Sequence, residues 1–501
     1  MKTLTPWQER RPERQLLAMC FALVGLGVIL VLGSLHGAGK PLGLAILLPY
    51  LLYGLCLTLV HLGLVLAGFR GDQLLGVAVA FLAGLGLLAQ TRLGAFDPDA
   101  GGAISLNAYA FVGGFLILVA VAWGLMGGRY RLLASGHGPW IWGGLSLILV
   151  ILLLATGQRF RGAVFGAGLM TPTELLKVSF VLFAAAYIDR EARALGSGWL
   201  FHGLIPPWRP LAPLVGIFGV LMLLLLIQRD LGMVLILGLT LPLLLSLGTG
   251  RWGYLGYGLV SAALLGGILL GVFQHGERRI QAWLAPFQDP TGDSWQILQG
   301  LSGMYAGGLW GEGFGAGNPE YTPIAESDFI YAVIGEELGF IGTALVVAFF
   351  LLLLLRGLRI SVHSRSGFGL LLGVGLSLVL TVQTFLNIGG VTLFIPLTGI
   401  TLPFISQGGS SLLTAFAMVG LLLAISDGEP GVARGPGAAR QAPQALNGAS
   451  GGPGGSGGRR GPSRNGSPPP GRGPGSGLRN PAPTPPGASP DWPTDAPGSR
   501  A

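Results

Sequence analysis

The 501 residues are 51% apolar and only 10% charged, with a formal net charge of +8, whereas an ordinary soluble domain carries roughly 25% charged residues. Water is therefore not the main solvent of this chain. Most of its arginines stand between apolar runs or in the C-terminal tail, which speaks for membrane topology rather than nucleic acid. The two cysteines, Cys20 and Cys56, lie inside apolar runs without a CxxC or Cys/His cluster, so they point to neither a disulfide framework nor a zinc site.

A bilayer core of about 30 Å is crossed by about 20 apolar helical residues. Runs of that kind centre near residues 25, 55, 82, 116, 148, 182, 219, 240, 263, 342, 378 and 417, which predicts an all-α polytopic membrane protein of about twelve transmembrane helices. The first run follows Lys2, Arg10, Arg11 and Arg14 in the manner of a signal peptide, but no small-residue cleavage site comes after it, so it reads as a retained anchor. With the N-terminus cytoplasmic, the inner loops and N-terminus collect about fourteen basic residues and the outer loops about seven. Both termini are then cytoplasmic, and one long polar segment, residues 274–327, falls on the extracytoplasmic side. From about Gly428 to the end the chain is Gly, Pro, Ser, Ala and Arg with almost no aliphatics, a composition that predicts a disordered cytoplasmic tail. Its eight arginines suit contact with anionic headgroups or plain solubility equally well.

Charges within or beside spans are costly and mark function by default. They are few: Glu174 and Lys177 on the sixth span, Asp230 entering the eighth, Glu336 and Glu337 in the tenth. Glu174 and Lys177, three apart on one helical face, can pair with each other, either as a structural tie or as part of a substrate site. In the long outer segment, Asp289-Pro-Thr-Gly292 follows Arg278 and Arg279. The residues alone suit a turn initiated by an aspartate side chain, but Trp283, Phe287 and Trp295 place that carboxylate at a membrane interface, where it can stand over a lipid-borne substrate. A glycine-dense stretch, Gly300 to Gly317, lets backbone approach closely, and no GxxxxGK[ST] supports nucleotide binding.

The stretch from Asn387 to Leu412, broken by Pro396, Pro403 and several glycines, cannot be one continuous span. Non-helical backbone at such depth needs protein cover or a polar cavity, so a partly re-entrant outer loop is expected before the last helix. Ser406 to Ser411 would open that helix and leave backbone amides for an anion such as a pyrophosphate.

Four blocks, Pro172-Thr-Glu174-Leu-Leu-Lys177, Gln228-Arg-Asp230-Leu-Gly232, the Asp289 loop through Asp328 to Gly342, and Asn387 to Leu412, resemble the FtsW/RodA/SpoVE (SEDS) family over about residues 90 to 426. The resemblance implies a ten-helix glycosyltransferase core at 91–426, with about two extra helices in residues 1–90. It further implies a peptidoglycan polymerase joining lipid II units on the outer face of the bacterial cytoplasmic membrane, and a class B penicillin-binding protein as transpeptidase partner. The chain departs from the pattern at Arg229, where Pro is usual, at Ile324 and Glu326, where Glu and His are common, and at Gln407, where Tyr is usual.

Carried onto these positions, Asp289 is the expected base for the sugar hydroxyl. Arg159, Arg161, Arg278 and Arg279 are the candidate phosphate partners, because guanidinium binds phosphate bidentately. Glu174, Lys177, Asp230, Asp328, Asn387, Ser406, Ser410 and Ser411 complete the candidate substrate site. No soluble cofactor is called for, a divalent cation is compatible, and no metal-ligand cluster is visible. The competing activities are lipid II transport and a non-catalytic scaffold. Division and elongation roles stay open, since Pro396-Leu-Thr398-Gly without a lysine leans towards RodA and Thr401-Leu-Pro-Phe-Ile-Ser leans back.

Overall fold

The computed structural model describes residues 5–37, 47–96, 108–160, 163–165, 171–197, 199, 205–272, 274–292 and 294–427, and the tail lies outside the described residues. Its helices in chain order are α1 (Pro6–Glu9), α2 (Arg11–Gly37), α3 (Leu47–Leu66), α4 (Leu74–Arg92), α5 (Ala110–Leu125), α6 (Gly138–Thr156), α7 (Pro172–Ser197), α8 (Trp208–Gln228), α9 (Leu231–Thr249), α10 (Gly253–Val272), α11 (Gln274–Leu284), α12 (Trp295–Gly307), α13 (Ile330–Val362), α14 (Gly367–Val391) and α15 (Gly409–Ser426). Between α6 and α7, two three-residue strands, β1 (Gln158–Phe160) and β2 (Ala163–Phe165), pair antiparallel.

Each of the twelve apolar centres falls inside a helix, and among the described residues nine helices are long and apolar enough to cross a membrane. The other three centres belong to α5, shorter at 16 residues, to α7, which carries Glu174 and Lys177 near its start and Asp189, Arg190, Glu191 and Arg193 towards its end, and to α10. The long outer segment is more ordered than its polarity suggested, since α11 and α12 occupy much of it.

The bundle has an inside and an outside of its own. The most apolar stretch of α4 and of α15 is 83% buried against 28% for α8, so α4 and α15 are packed among helices and α8 faces lipid. Small residues set the closest approaches. A Cβ on Gly114 of α5 would stand 2.3 Å from the Phe416 ring of α15, and one on Gly420 would stand 2.9 Å from the Leu118 carbonyl.

Polar ties sort the loops onto two faces. On one, Arg356 binds Asp72 through Nε at 2.8 Å and through Nη2, and Asp427 accepts from the amides of Arg70 at 2.8 Å and Gly127 at 3.2 Å. On the other, Arg92 at the end of α4 donates to Glu337 at 3.0 Å and to the Gly317 carbonyl at 2.5 Å. Gln90 donates to the Glu326 carbonyl at 2.9 Å there, and Ser34 of α2 donates to the Gly315 carbonyl.

The glycine-dense stretch earns its composition at a break in α13. Gly339 has φ 65° and ψ −164°, interrupting the helix. The interrupted backbone groups are taken up by the segment after α12: Glu312 and Gly313 amides donate to the Glu336 and Glu337 carbonyls at 2.9 and 3.2 Å, and Phe340 and Ile341 amides donate to Gly308 and Leu309 at 2.9 and 3.2 Å. This backbone-on-backbone fit leaves no room for side chains, since a Cβ on Gly311 would stand 2.2 Å from the Glu337 carbonyl oxygen.

Candidate functional site

The segment between α14 and α15, residues 392–408, is non-helical and folds back into the bundle. Its Thr401 carbonyl accepts from Gln383, which lies eight residues before the end of α14 and so about 12 Å along the helix from that end. At Ile405 the returning backbone would meet a Cβ on Gly86 of α4 at 2.7 Å. Asn387 belongs to the last turns of α14 rather than to the broken segment, and its Nδ2 ties that helix to the segment and to the chain before α13, donating to the Ile400 carbonyl at 2.6 Å and the Asp328 carbonyl at 2.9 Å. Its Oδ1 is buried without a hydrogen-bond partner.

A second set of ties joins this segment to α11. Arg279 Nη1 donates to the carbonyls of Leu397 and Thr398, both at 3.1 Å, and Trp283 Nε1 donates to Leu393 at 2.8 Å. At Gly399, with φ 72°, a Cβ would stand 3.5 Å from Asp328 Oδ2 and 4.0 Å from Arg279 Nη2. Burial draws the Arg279 guanidinium below its ordinary value, opposed by the charges of Asp328 and Asp230. Burial likewise holds the Asp328 carboxyl above the usual carboxylate range, opposed by a hydrogen bond from Ser327 and by the Arg279 charge.

Asp230 links this mouth to a deeper group. Its Oδ1 accepts from the Met233 amide at 2.9 Å, capping α9, and it lies within electrostatic reach of Glu174, Lys177 and Arg279. The first turns of α9 pack on the broken segment, since a Cβ on Gly232 would meet Ile400 at 2.5 Å. Lys177, 1% exposed, makes the expected i,i+3 pair with Glu174, at 2.5 Å. Its ammonium also donates to Gln383 Oε1 at 2.8 Å, and Gln383 Nε2 donates on to Thr401 O and Ser411 Oγ at 3.0 and 3.2 Å.

Asp289 sits exposed in the turn after α11. Its carboxylate lies over Gly292, where a Cβ would stand 2.0 Å from Oδ2. Arg278 is exposed beside the half-buried Arg279. Arg159 lies on β1 opposite Val164, while its side chain, and Arg161 as a whole, lie outside the described residues.

The three serines are hydrogen-bonded within the protein. Ser406 donates to the Ser327 carbonyl at 2.5 Å and accepts from the Leu402 amide, Ser410 accepts from the Thr171 amide at 2.5 Å, and Ser411 meets Thr401 Oγ1 at 2.9 Å. The amides of Gln407 and Gly408 are bonded to the carbonyls of Glu326 and Ser406. These hydroxyls and the two amides hold the broken segment in place, because backbone buried away from water must find partners inside the protein.

Gln383 was not among the candidates, although it organises the site. A single polar residue in an apolar run was the available signal, as at Gln383 within α14. Its partners come from α7 and from the loop after α14, distances along the chain that periodicity cannot span. Among the described residues, no three His, Cys, Asp or Glu side chains converge as a metal site.

Among the described residues, four other than glycine have left-handed backbone: Arg229 (φ 63°), Ile324 (54°), Leu393 (58°) and Phe404 (65°). All four fall on segments that border this mouth: the corner before Asp230, the approach to Asp328, and the broken segment itself. Such strain of order 1–3 kcal/mol per residue persists where the surroundings over-determine the backbone, as they do at functional sites.

Fold and site together define a multi-pass membrane protein in which Glu174, Lys177, Asp230, Arg279 and Asp328 gather at one mouth of a helix bundle, against a returning non-helical segment. The model of the cell cycle protein family FtsW/RodA/SpoVE matches residues 73–429, and the chain belongs to that family. The match begins at the head of α4, leaving α2 and α3 ahead of it. Among curated relatives, peptidoglycan glycosyltransferase RodA of Mycobacterium tuberculosis is 33% identical over 443 residues, covering 85% of this chain and 92% of the relative. A probable peptidoglycan glycosyltransferase FtsW of Trichlorobacter lovleyi is 35% identical over 310 residues, covering 60% and 78%. Among solved structures, a chain described under "Structural coordination of polymerization and crosslinking by a peptidoglycan synthase complex" is 27% identical with a TM-score of 0.56, covering 71% of this chain and 98% of that one. Rod shape determining protein RodA of Thermus thermophilus is 26% identical with a TM-score of 0.50, covering 71% and 97%.

Proposed function

We propose that the protein is a peptidoglycan glycosyltransferase that joins lipid II disaccharide units into glycan strands at the outer face of the bacterial cytoplasmic membrane, with both termini on the cytoplasmic side. The names of its curated relatives support the activity, and the excess of basic residues on the inner loops supports the sidedness. The observation that carries the assignment is structural. The exposed carboxylate of Asp289 follows directly on the helix whose Arg279 and Trp283 are hydrogen-bonded to the broken segment lining the mouth.

In this scheme Asp289 accepts the proton of the attacking sugar hydroxyl as it bonds to the anomeric carbon of the neighbouring sugar, a contribution of about 10²- to 10⁴-fold. The leaving undecaprenyl pyrophosphate is met by exposed Arg278 and by the Arg279 nitrogens not engaged with Leu397 and Thr398. Attack opposite the leaving group makes the reaction inverting. No soluble cofactor takes part, and a divalent cation carried by the pyrophosphate would share its charge with the arginines. Glu174, Lys177, Asp230, Asp328 and Asn387 shape the cavity beneath.

A transpeptidase of the class B penicillin-binding type supplies crosslinking, an assignment supported by the likeness to a synthase complex in which polymerization and crosslinking are coordinated. Lipid II transport finds its support in the Lys177–Glu174–Gln383 group inside the bundle, and translocation in liposomes separates it from polymerisation. The test of the proposal is glycan synthesis from labelled lipid II, expected from the wild type and absent from a folded Asp289→Asn variant.

A further inference from the structure

Ahead of the family match, α2 and α3 run antiparallel and leave an open groove of about 450 Å³ between them, within the range of about 300–1,000 Å³ typical of small-molecule sites. Leu17, Phe21, Leu51 and Leu55 make its walls apolar, and Ala18 and Gly54 add little bulk. Its polar end is formed by Arg14, Trp7 and His61. From Arg14 to Phe21 the groove follows seven residues of α2, about 10 Å.

The polar end is unfinished in a specific way. The Arg14 guanidinium stacks 4.4 Å from the centroid of the Trp7 ring, and its Nη1 is buried without a hydrogen-bond partner. His61 is 6% exposed and lines the groove; its Nδ1 lies 3.4 Å from Glu13 Oε2, while its Nε2 is buried and also without a partner. Glu13 is already matched by Arg10, 2.5 Å away. The Arg14 charge therefore meets an aromatic face and no carboxylate among the described residues. A proton on Nδ1 facing Glu13 leaves Nε2 as an acceptor.

We propose that this groove binds one anionic phospholipid with a hydroxylated headgroup. Its phosphodiester accepts from Arg14, a headgroup hydroxyl donates to His61 Nε2, and an acyl chain lies along Leu17, Phe21, Leu51 and Leu55. Charge complementarity selects the anionic lipid, and the apolar length selects a lipid over free phosphate. The position fits a bilayer, since Arg14 is in the first turn of α2 and the groove opens on the exposed flank that presents Met19 and Leu55.

Native mass spectrometry of the full chain, purified in detergent and offered phosphatidylglycerol or phosphatidylcholine of identical acyl chains, tests the proposal, with gel filtration confirming that each variant is folded. One phosphatidylglycerol per chain should be retained in preference to phosphatidylcholine. Arg14→Gln should weaken it about tenfold, the worth of one charge-assisted hydrogen bond, and Ala18→Trp, which fills the groove, should abolish retention of either lipid. Ala18 is exposed, so this variant carries the test if Arg14→Gln does not fold. Equal retention of the two lipids, phosphatidylglycerol binding unchanged by both substitutions, or thermal protection by inorganic phosphate equal to that by lipid would each overturn it.

Discussion

Lys177 on α7 and Gln383 on α14 are joined by a 2.8 Å hydrogen bond, and through Gln383 the lysine is connected to Thr401 within the broken segment and to Ser411 in the first turn of α15. A buried cation thus holds two helices and a loop together, with Glu174 as its counter-charge. Lys177→Met leaves Glu174 without that partner and should cost about 3–5 kcal/mol, the usual effect of breaking a buried pair. Glu174→Gln combined with Lys177→Met should recover much of the loss. Thermal unfolding of the purified variants checks this; additive losses in the double variant would show that the two side chains act independently.

Gly292 lies beneath the Asp289 carboxylate, and a Cβ there would stand 2.0 Å from Oδ2. The atoms that Cβ would meet are the far end of a side chain and not backbone, so Gly292→Ala should displace the carboxylate rather than the backbone. Polymerisation should fall about 100-fold, the effect of a displacement near 1 Å in a catalytic group, with the melting temperature unchanged. Full activity in Gly292→Ala would mean that the position of the carboxylate is immaterial.

Arg279 anchors the broken segment through two carbonyls. Arg279→Ala should lower stability by about 2–3 kcal/mol, as hydrogen bonds from a charged donor contribute about 1.5–3 kcal/mol, and should abolish polymerisation as well. Arg279→Lys should restore part of the stability and less of the activity, since a point charge cannot span two carbonyls and a phosphate as a planar fork does. Equal rescue of both by lysine would argue for charge alone.

Ile324 is a β-branched residue at φ 54° and is 47% exposed. Left-handed backbone costs an L-residue about 1–2 kcal/mol, and Asn tolerates it best after Gly. Ile324→Asn should therefore raise stability by about 1 kcal/mol, readable as a higher melting temperature in detergent. A lower one would mean that the isoleucine side chain makes a compensating contact.

The helices were legible because an apolar run of bilayer length has few other homes, and each run near residues 25 to 417 became one. The break after α14 was legible too, from Pro396, Pro403 and the glycines around them. By contrast α12 was not, because Gly300, Gly303 and Gly307 weaken helix propensity. It forms because those glycines let it press against Phe329, Glu336 and the Gly335 carbonyl. The protein partners of Ser406 and Ser410 were not legible either, because Ser327 and Thr171 lie far away in sequence. Arg229 shows a local departure from the family pattern with a conformational reason. Its φ of 63° caps α8 in the left-handed region, which a proline, locked near −65°, cannot enter.

The central claim is that Asp289 is the base of a lipid II polymerase, and the most direct measurement compares wild type with folded Asp289→Asn on fluorescent lipid II, alone and with a candidate class B transpeptidase. Glycan ladders from the wild type and none from the variant are the expected result. Ladders of equal yield from the variant, or no ladders from either protein while lipid II crosses liposome membranes, would contradict it.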